Sequence, residues 1–263
     1  MRTNHEIDYK IYGEEMQYVE IELDPEETAI AESGAFMMMD EGIQMQTIFG
    51  DGSKPQQGFL GKLMSAGKRM LTGESLFMTT FTNVGQGKKR VSFASPYPGK
   101  IIPMDLMELG GKLVAQKDAF LCAAKGVSVG IEFQRKLGTG LFGGEGFIME
   151  KLEGDGMAFV HAGGHVFERI LQPGELLKID TGCLVAYTQT IDYDIQFVGG
   201  IKNTIFGGEG LFFATLRGPG KVWIQTLPIS RLAGRILTYA TTTRKGEGSI
   251  LGGLGNVLDG DGW

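Results

Sequence analysis

The sequence predicts an all-β protein built from internally repeated antiparallel β-sandwich or barrel units in a pseudo-threefold arrangement, with few short helices. Three observations carry this expectation. Short segments alternate apolar and polar residues, glycine is abundant, and two motifs each recur three times along the chain. Of 263 residues, 42 are glycine, about 16% against an ordinary level of about 7%. Glycine spread between apolar runs favours turns and bulges over long helices, because it weakens a helix but readily takes positive φ.

The strand candidates run in order along the chain. YVEIEL, TAIAE, AFMMM and IQMQTIF come first, then VSVGIEF, GFIMEKL and MAFVHA, then YDIQFV, LFFATL and KVWIQTL. Each is short, and most place one face toward a core by period-two alternation. GQGKK at Gly85, EGDG at Glu153 and GPG at Gly218 separate strand candidates and have the composition of hairpin turns. Pro25-Glu26, Pro98-Gly99 and Pro173-Gly174 supply further turns. Helix signal is confined to LMSAGKRML from Leu63, enough for one or two turns, and ISRLAGRIL from Ile229, enough for a short helix.

The first recurring motif comprises LTGESLFMTTF, LFGGEGFIMEKLEG and IFGGEGLFFATLRGPG. Its glycine–glutamate corners are Gly73-Glu74, Gly144-Glu145 and Gly208-Glu209, separated by 71 and 64 residues. The second comprises ETAIAESGAFMMMDEG, KLVAQKDAFLCAAKG and ELLKIDTGCLVAYTQT, turning at Gly34, Asp118 and Gly182. From turn to corner is 39 residues in the first copy and 26 in the other two, which places an insertion in the first copy around residues 51–66. The resulting organisation is a first β unit over 1–102, a second over 103–168, a third over 169–244, and a glycine-rich tail over 245–263.

Composition excludes several function classes. A formal charge of -6 offers a polyanion no general attraction, so nucleic acid is not an expected partner. Cys122 and Cys183 lie in apolar runs and read as buried thiols, outside any disulfide scaffold. No run reaches the roughly 18–20 apolar residues of a bilayer span, and a cytoplasmic protein is expected, with peripheral membrane contact left open.

Motifs that look chemical fail on context. Gly138 to Gly143 match G-x-G-x-x-G, but a glycine break and a strand follow where a dinucleotide site needs a helix. GKLMSAGKR has five residues between its glycines, and Arg69 stands where a magnesium-binding hydroxyl belongs. Lys62, Lys68, Arg69, Lys88, Lys89 and Arg90 read as a solvated rim, with an anion-holding surface as the alternative. Glu74, Glu145 and Glu209 read as structural carboxylates of a repeated corner, with a cation site as the alternative. His161 and His165 could hold a metal with Glu168 only if a bend brought them together. No nucleophile elbow surrounds a serine, and no catalytic residue or cofactor is predicted.

LTGESLFMTTF, RKLGTGLFGGEGFI, the PGELLKIDTG turn element and the glycine-rich tail together resemble a widespread bacterial family related to the mitochondrial-biogenesis "altered inheritance of mitochondria" proteins. The resemblance covers nearly the whole chain. It implies a β-rich, double-stranded β-helix-like fold similar to that of the tryptophan-sensing RNA-binding attenuation protein of bacilli, repeated within one chain, and a tendency to self-associate. It carries over no catalytic residue. The opening MRTNHEIDYKIYGEE is neither basic nor acid-free and reads as mature protein. The expected function is a non-enzymatic scaffold, interaction or assembly protein, a homo-oligomer with room for a protein partner. The alternative is a small-molecule or metal-binding protein, with an enzymatic role left open, using a cleft near His161, His165 and Glu168.

Overall fold

The computed structural model describes residues 3–32, 34–49, 77–135, 147–197 and 212–243. Through residue 228 the described chain is β-structure, and a separate unit begins at Ile229. After β1 (Asp8–Tyr12), eighteen strands follow in three sets of six. The first set is β2 (Tyr18–Leu23), β3 (Thr28–Glu32), β4 (Phe36–Met39), β5 (Ile43–Phe49), β6 (Phe77–Asn83) and β7 (Lys89–Ala94). The second is β8 (Gly99–Asp105), β9 (Lys112–Gln116), β10 (Phe120–Ala124), β11 (Ser128–Arg135), β12 (Phe147–Glu153) and β13 (Met157–Gly163). The third is β14 (Val166–Leu171), β15 (Leu176–Asp180), β16 (Leu184–Thr188), β17 (Asp192–Phe197), β18 (Phe212–Arg217) and β19 (Gly220–Gln225).

Pairing follows one rule in all three sets. The first strand pairs the sixth and the sixth pairs the third, while the second pairs the fifth and the fifth pairs the fourth. Neighbouring sets then join through the second strand of one and the third strand of the next, at β3·β10 and β9·β16. Four antiparallel sheets result, ordered β1-β2-β7-β4, β5-β6-β3-β10-β13-β8, β11-β12-β9-β16-β19-β14 and β15-β18-β17. A bulge falls at the same place in each set, between Phe36 and Met38, between Phe120 and Cys122, and between Leu184 and Ala186. These sheets are open, so the barrel form of the expectation is not met among the described residues. The boundaries expected after residues 102 and 168 fall inside β8 and β14.

Three apolar cores lie between successive sheets. One gathers Val19, Ile21, Phe81, Phe93 and Phe159, the next Ile30, Leu113, Leu152, Val160 and Trp223, and the last Phe147, Met149, Leu184, Leu216 and Val222. Burying each phenylalanine side chain stabilises by about 1.5–3 kcal/mol. β2 shows the simple case, with Val19, Ile21 and Leu23 fully buried and Tyr18, Glu20 and Glu22 turned the other way. β10 and β16 are buried along their whole length, because cores cover both faces of their sheets, and they read as unbroken apolar runs.

The turns differ from the hairpins that their composition suggests. β6 and β7, β12 and β13, and β18 and β19 each flank one of the glycine turns, yet the two strands of each pair lie in different sheets. Positive φ at Gly87, Gly154 and Gly220 therefore serves corners between layers. The paired neighbours are β5·β6, β11·β12 and β17·β18. The corners Gly73-Glu74, Gly144-Glu145 and Gly208-Glu209 fall within these three connections and lie outside the described residues, as do the insertion at 51–66, LMSAGKRML and the tail over 245–263. α1 (Ile229–Thr243) is longer than the short helix expected over ISRLAGRIL, because it continues through LTYATTT.

Candidate functional site

The turn joining the second and third strands of the middle set is the place where charge is drawn into the protein. β9 ends at Gln116, Lys117–Ala119 form a single 3-10 turn, and β10 begins at Phe120. Glu32 closes β3 two residues beyond Ile30, and Glu150 sits on β12 two residues before Leu152, so both glutamates share a strand face with residues of the middle core. Glu150 is 3% exposed. Burial pushes its carboxyl up to about 8, with the Glu32 charge adding to the shift and Lys117 opposing it. Burial likewise pushes Glu32 up to about 7, reinforced by Asp118 and opposed by Lys117. Two carboxyls that keep their protons near neutral pH have the acid–base character of a catalytic pair. Glu150 is buried and Glu32 half-buried, so the protonation of the pair is linked to folding stability.

The same turn position is filled differently elsewhere. Gln116, the counterpart of Glu32 on β9, is buried, and its Oε1 accepts from Gln225 Nε2 at 3.4 Å. Gln225 Nε2 also donates to the Gly182 carbonyl at 2.9 Å, and Gln225 Oε1 accepts from Gly163 N at 2.8 Å. An uncharged amide network thus surrounds the end of β9, where β3 ends in a carboxyl. On β15 the counterpart is Asp180, whose carboxylate accepts from Gly182 N at 2.8 Å.

The strand edges form the second candidate. β10 and β16 are each buried throughout, but β4 exposes all four of its side chains: Phe36 at 42%, Met37 at 48%, Met38 at 44% and Met39 at 40%. β4 pairs only β7, and β15 pairs only β18. Each therefore presents an unpaired backbone edge among the described residues. AFMMM carries this signal in the sequence, four large apolar side chains without polar alternation.

His161, His165 and Glu168 are not brought together. His161 is buried on β13, its ring edge-on to Tyr97 with centroids 4.4 Å apart, and burial lowers it to about 4. His165 is exposed in the turn after β13. Glu168 is exposed on β14, where Oε2 accepts from Trp223 Nε1 at 3.0 Å and Oε1 lies 3.2 Å from Lys221 Nζ. Among the described residues no group of three or more His, Cys, Asp or Glu side chains is placed to hold a metal. Lys88 pairs with Asp8 and Glu22, and Arg90 with Glu20 and Glu22, so these bases are matched by acids. Cys122 is buried and Cys183 partly so, and the two are not joined in a disulfide.

Fold and site together define an all-β protein of repeated, edge-joined sheets. The chain belongs to the family described as mitochondrial biogenesis AIM24, whose model matches residues 9–227. It is 32% identical over 229 residues to a protein of Streptococcus pyogenes serotype M6 titled uncharacterized, covering 86% of this chain and 87% of that one. It is also similar in fold to a crystal structure of a Streptococcus pyogenes protein, with a TM-score of 0.69 and 24% identity, covering 89% of this chain and 99% of the other. No helix among the described residues is long and apolar enough to cross a membrane.

Proposed function

We propose that this chain is a non-enzymatic assembly and interaction protein that works in the cytoplasm and self-associates. The single observation that carries the reading is β4, an apolar strand left exposed where its two counterparts, β10 and β16, are buried. An exposed row of large apolar side chains beside an open backbone edge is a surface built for another polypeptide. The three strand sets act as three units of one scaffold, divided at the turns before β8 and β14. The charged chemistry of the chain supports the same view, since the raised carboxyl of Glu150 is buried and both Lys88 and Arg90 are paired with acids.

Light scattering on the full chain tests this. The expected mass is a defined multiple of 28.5 kDa at micromolar concentration. A mass of 28.5 kDa at every concentration, with no protein partner retained, overturns the reading. Deleting residues 245–263 measures what the tail contributes to that mass.

A further inference from the structure

The two end sheets are complementary halves of the sheets in the middle. Each six-stranded sheet is made from the fourth, fifth and second strands of one set followed by the third, sixth and first strands of the next. The sheet β15-β18-β17 holds only the first half of this order, from the third set. The sheet β1-β2-β7-β4 holds only the second half, from the first set, with β1 added on its far side. Among the described residues the free edge of the first half is β15 and the free edge of the second is β4. These are the strand types that meet at β3·β10 and β9·β16.

We propose that β4 of one copy pairs antiparallel with β15 of a second copy, so that chains join head to tail. This inference rests on the assembly reading and specifies its interface. The internal junctions fix the register. Cys122 lies opposite Ala31 and Ala123 opposite Ile30 at the first, and Ala186 opposite Ala115 and Tyr187 opposite Val114 at the second. Counting from the shared bulge, Met38 and Met39 occupy the positions of Cys122 and Ala123. Counting back from the turn, Ile179 and Lys178 occupy the positions of Ala31 and Ile30. Met38 therefore faces Ile179 of the second copy, and Met39 faces its Lys178.

Burial supports the match on both sides. The side chains of β3 and β9 are buried at four of five positions each, whereas β15 has none fully buried and exposes Leu176 at 46%. Covering β4 and β15 with each other would give both the surroundings that their counterparts already have. Because the two edges differ, the contact is heterologous and leaves a β4 edge at one end and a β15 edge at the other. Such contacts close into a ring or continue as a filament.

The test joins one chain carrying Met38→Cys to another carrying Ile179→Cys, co-expressed with different affinity tags and oxidised. A second combination uses Met39→Cys with Lys178→Cys, because antiparallel pairs alternate between hydrogen-bonded and closer non-hydrogen-bonded sites and a disulfide accepts a narrow range of separations. The expected result is a species of doubled mass carrying both tags, with the bond between the two introduced cysteines identified by peptide mapping. Met38→Lys is expected to reduce the wild-type oligomer to 28.5 kDa with an unchanged circular dichroism spectrum. If the wild type is oligomeric but neither pair links and Met38→Lys leaves the mass unchanged, the head-to-tail interface is overturned while the assembly reading stands. A monomeric wild type overturns both. A link formed inside one doubly substituted, monomeric chain overturns the inference by showing that the ends close on each other.

Discussion

The junction β3·β10 and the free strand β4 are built from equivalent parts with opposite fates. β10 reads FLCAA and β4 reads FMMM, and both carry a bulge one residue after the leading phenylalanine. β10 has a strand on either side and no exposed side chain, while β4 has a neighbour on one side and four exposed side chains. Small residues fill the crowded position, since Cys122, Ala123 and Ala124 lie in a sheet covered on both faces. Long, adaptable methionines fill the open one. Residue size thus follows the neighbours: the strand with a preceding set beside it carries small side chains, and the strand without one carries large ones.

The sharpest way to break this comparison is to place one charge at matching positions. Ala123→Lys puts an ammonium between two cores and is expected to cost about 4 kcal/mol or more, leaving little folded protein. Met39→Lys, at the equivalent exposed position, is expected to change monomer stability by less than about 0.5 kcal/mol while weakening association. Urea unfolding of both variants, with light scattering on the second, gives the two numbers. Equal losses of stability would mean that β4 is as enclosed as β10.

The two raised carboxyls, Glu32 on β3 and Glu150 on β12, give a smaller and pH-dependent effect. Glu32 and Glu150 titrate near 7 and 8 in the folded chain against 4.5 when unperturbed, so folding takes up protons between these values and stability falls as pH rises. His161 acts oppositely and at lower pH: its folded value of about 4 lies below the unperturbed 6.5, so its contribution is present above 6.5 and lost as pH falls toward 4. The carboxyls therefore dominate between about pH 6.5 and 8.5, where stability should fall by about 2 kcal/mol. Glu32→Gln with Glu150→Gln removes both raised carboxyls and should flatten that slope in denaturant melts. A slope unchanged by the double variant would remove these two groups as its source.

Much of the fold was legible because it repeats. The turn element at Gly34, Asp118 and Gly182 marks the link between the second and third strands in every set, and the glycine–glutamate corners fall between the fourth and fifth. Sheet membership was not legible. GQGKK, EGDG and GPG have hairpin composition, but a glycine turn that reverses the chain within a sheet looks the same as one that carries it to the next layer. The carboxyl cluster was missed because Glu150 in FIMEKLE looks like an ordinary outward residue of an alternating strand. Its face is covered only once a second six-stranded sheet packs on it. His161 and His165 looked like a pair because they are close in sequence; β13 buries the first and ends before the second.

The smallest effect asks whether turn geometry contributes to the contrast between a joined strand and a free one. Asp24 to Glu27 deliver the chain to β3, and Gln172 to Glu175 deliver it to β15. Both turns place proline second, and in both the final glutamate accepts from the first residue's amide, at 2.8 Å and 2.9 Å respectively. The third position is Glu26 in one and Gly174 in the other, with φ of 71° and 78°. A glutamate held there pays a steric cost that glycine escapes, of the order of 1 kcal/mol. Glu26→Gly is therefore expected to raise stability by up to about 1 kcal/mol, read as a higher denaturation midpoint at unchanged slope, without altering oligomeric mass. A matched gain at constant mass would show that the two turns are interchangeable parts, so that β15 is free for want of a neighbour and not because of how the chain arrives at it. A change in mass would mean instead that the turn helps set which edge is open.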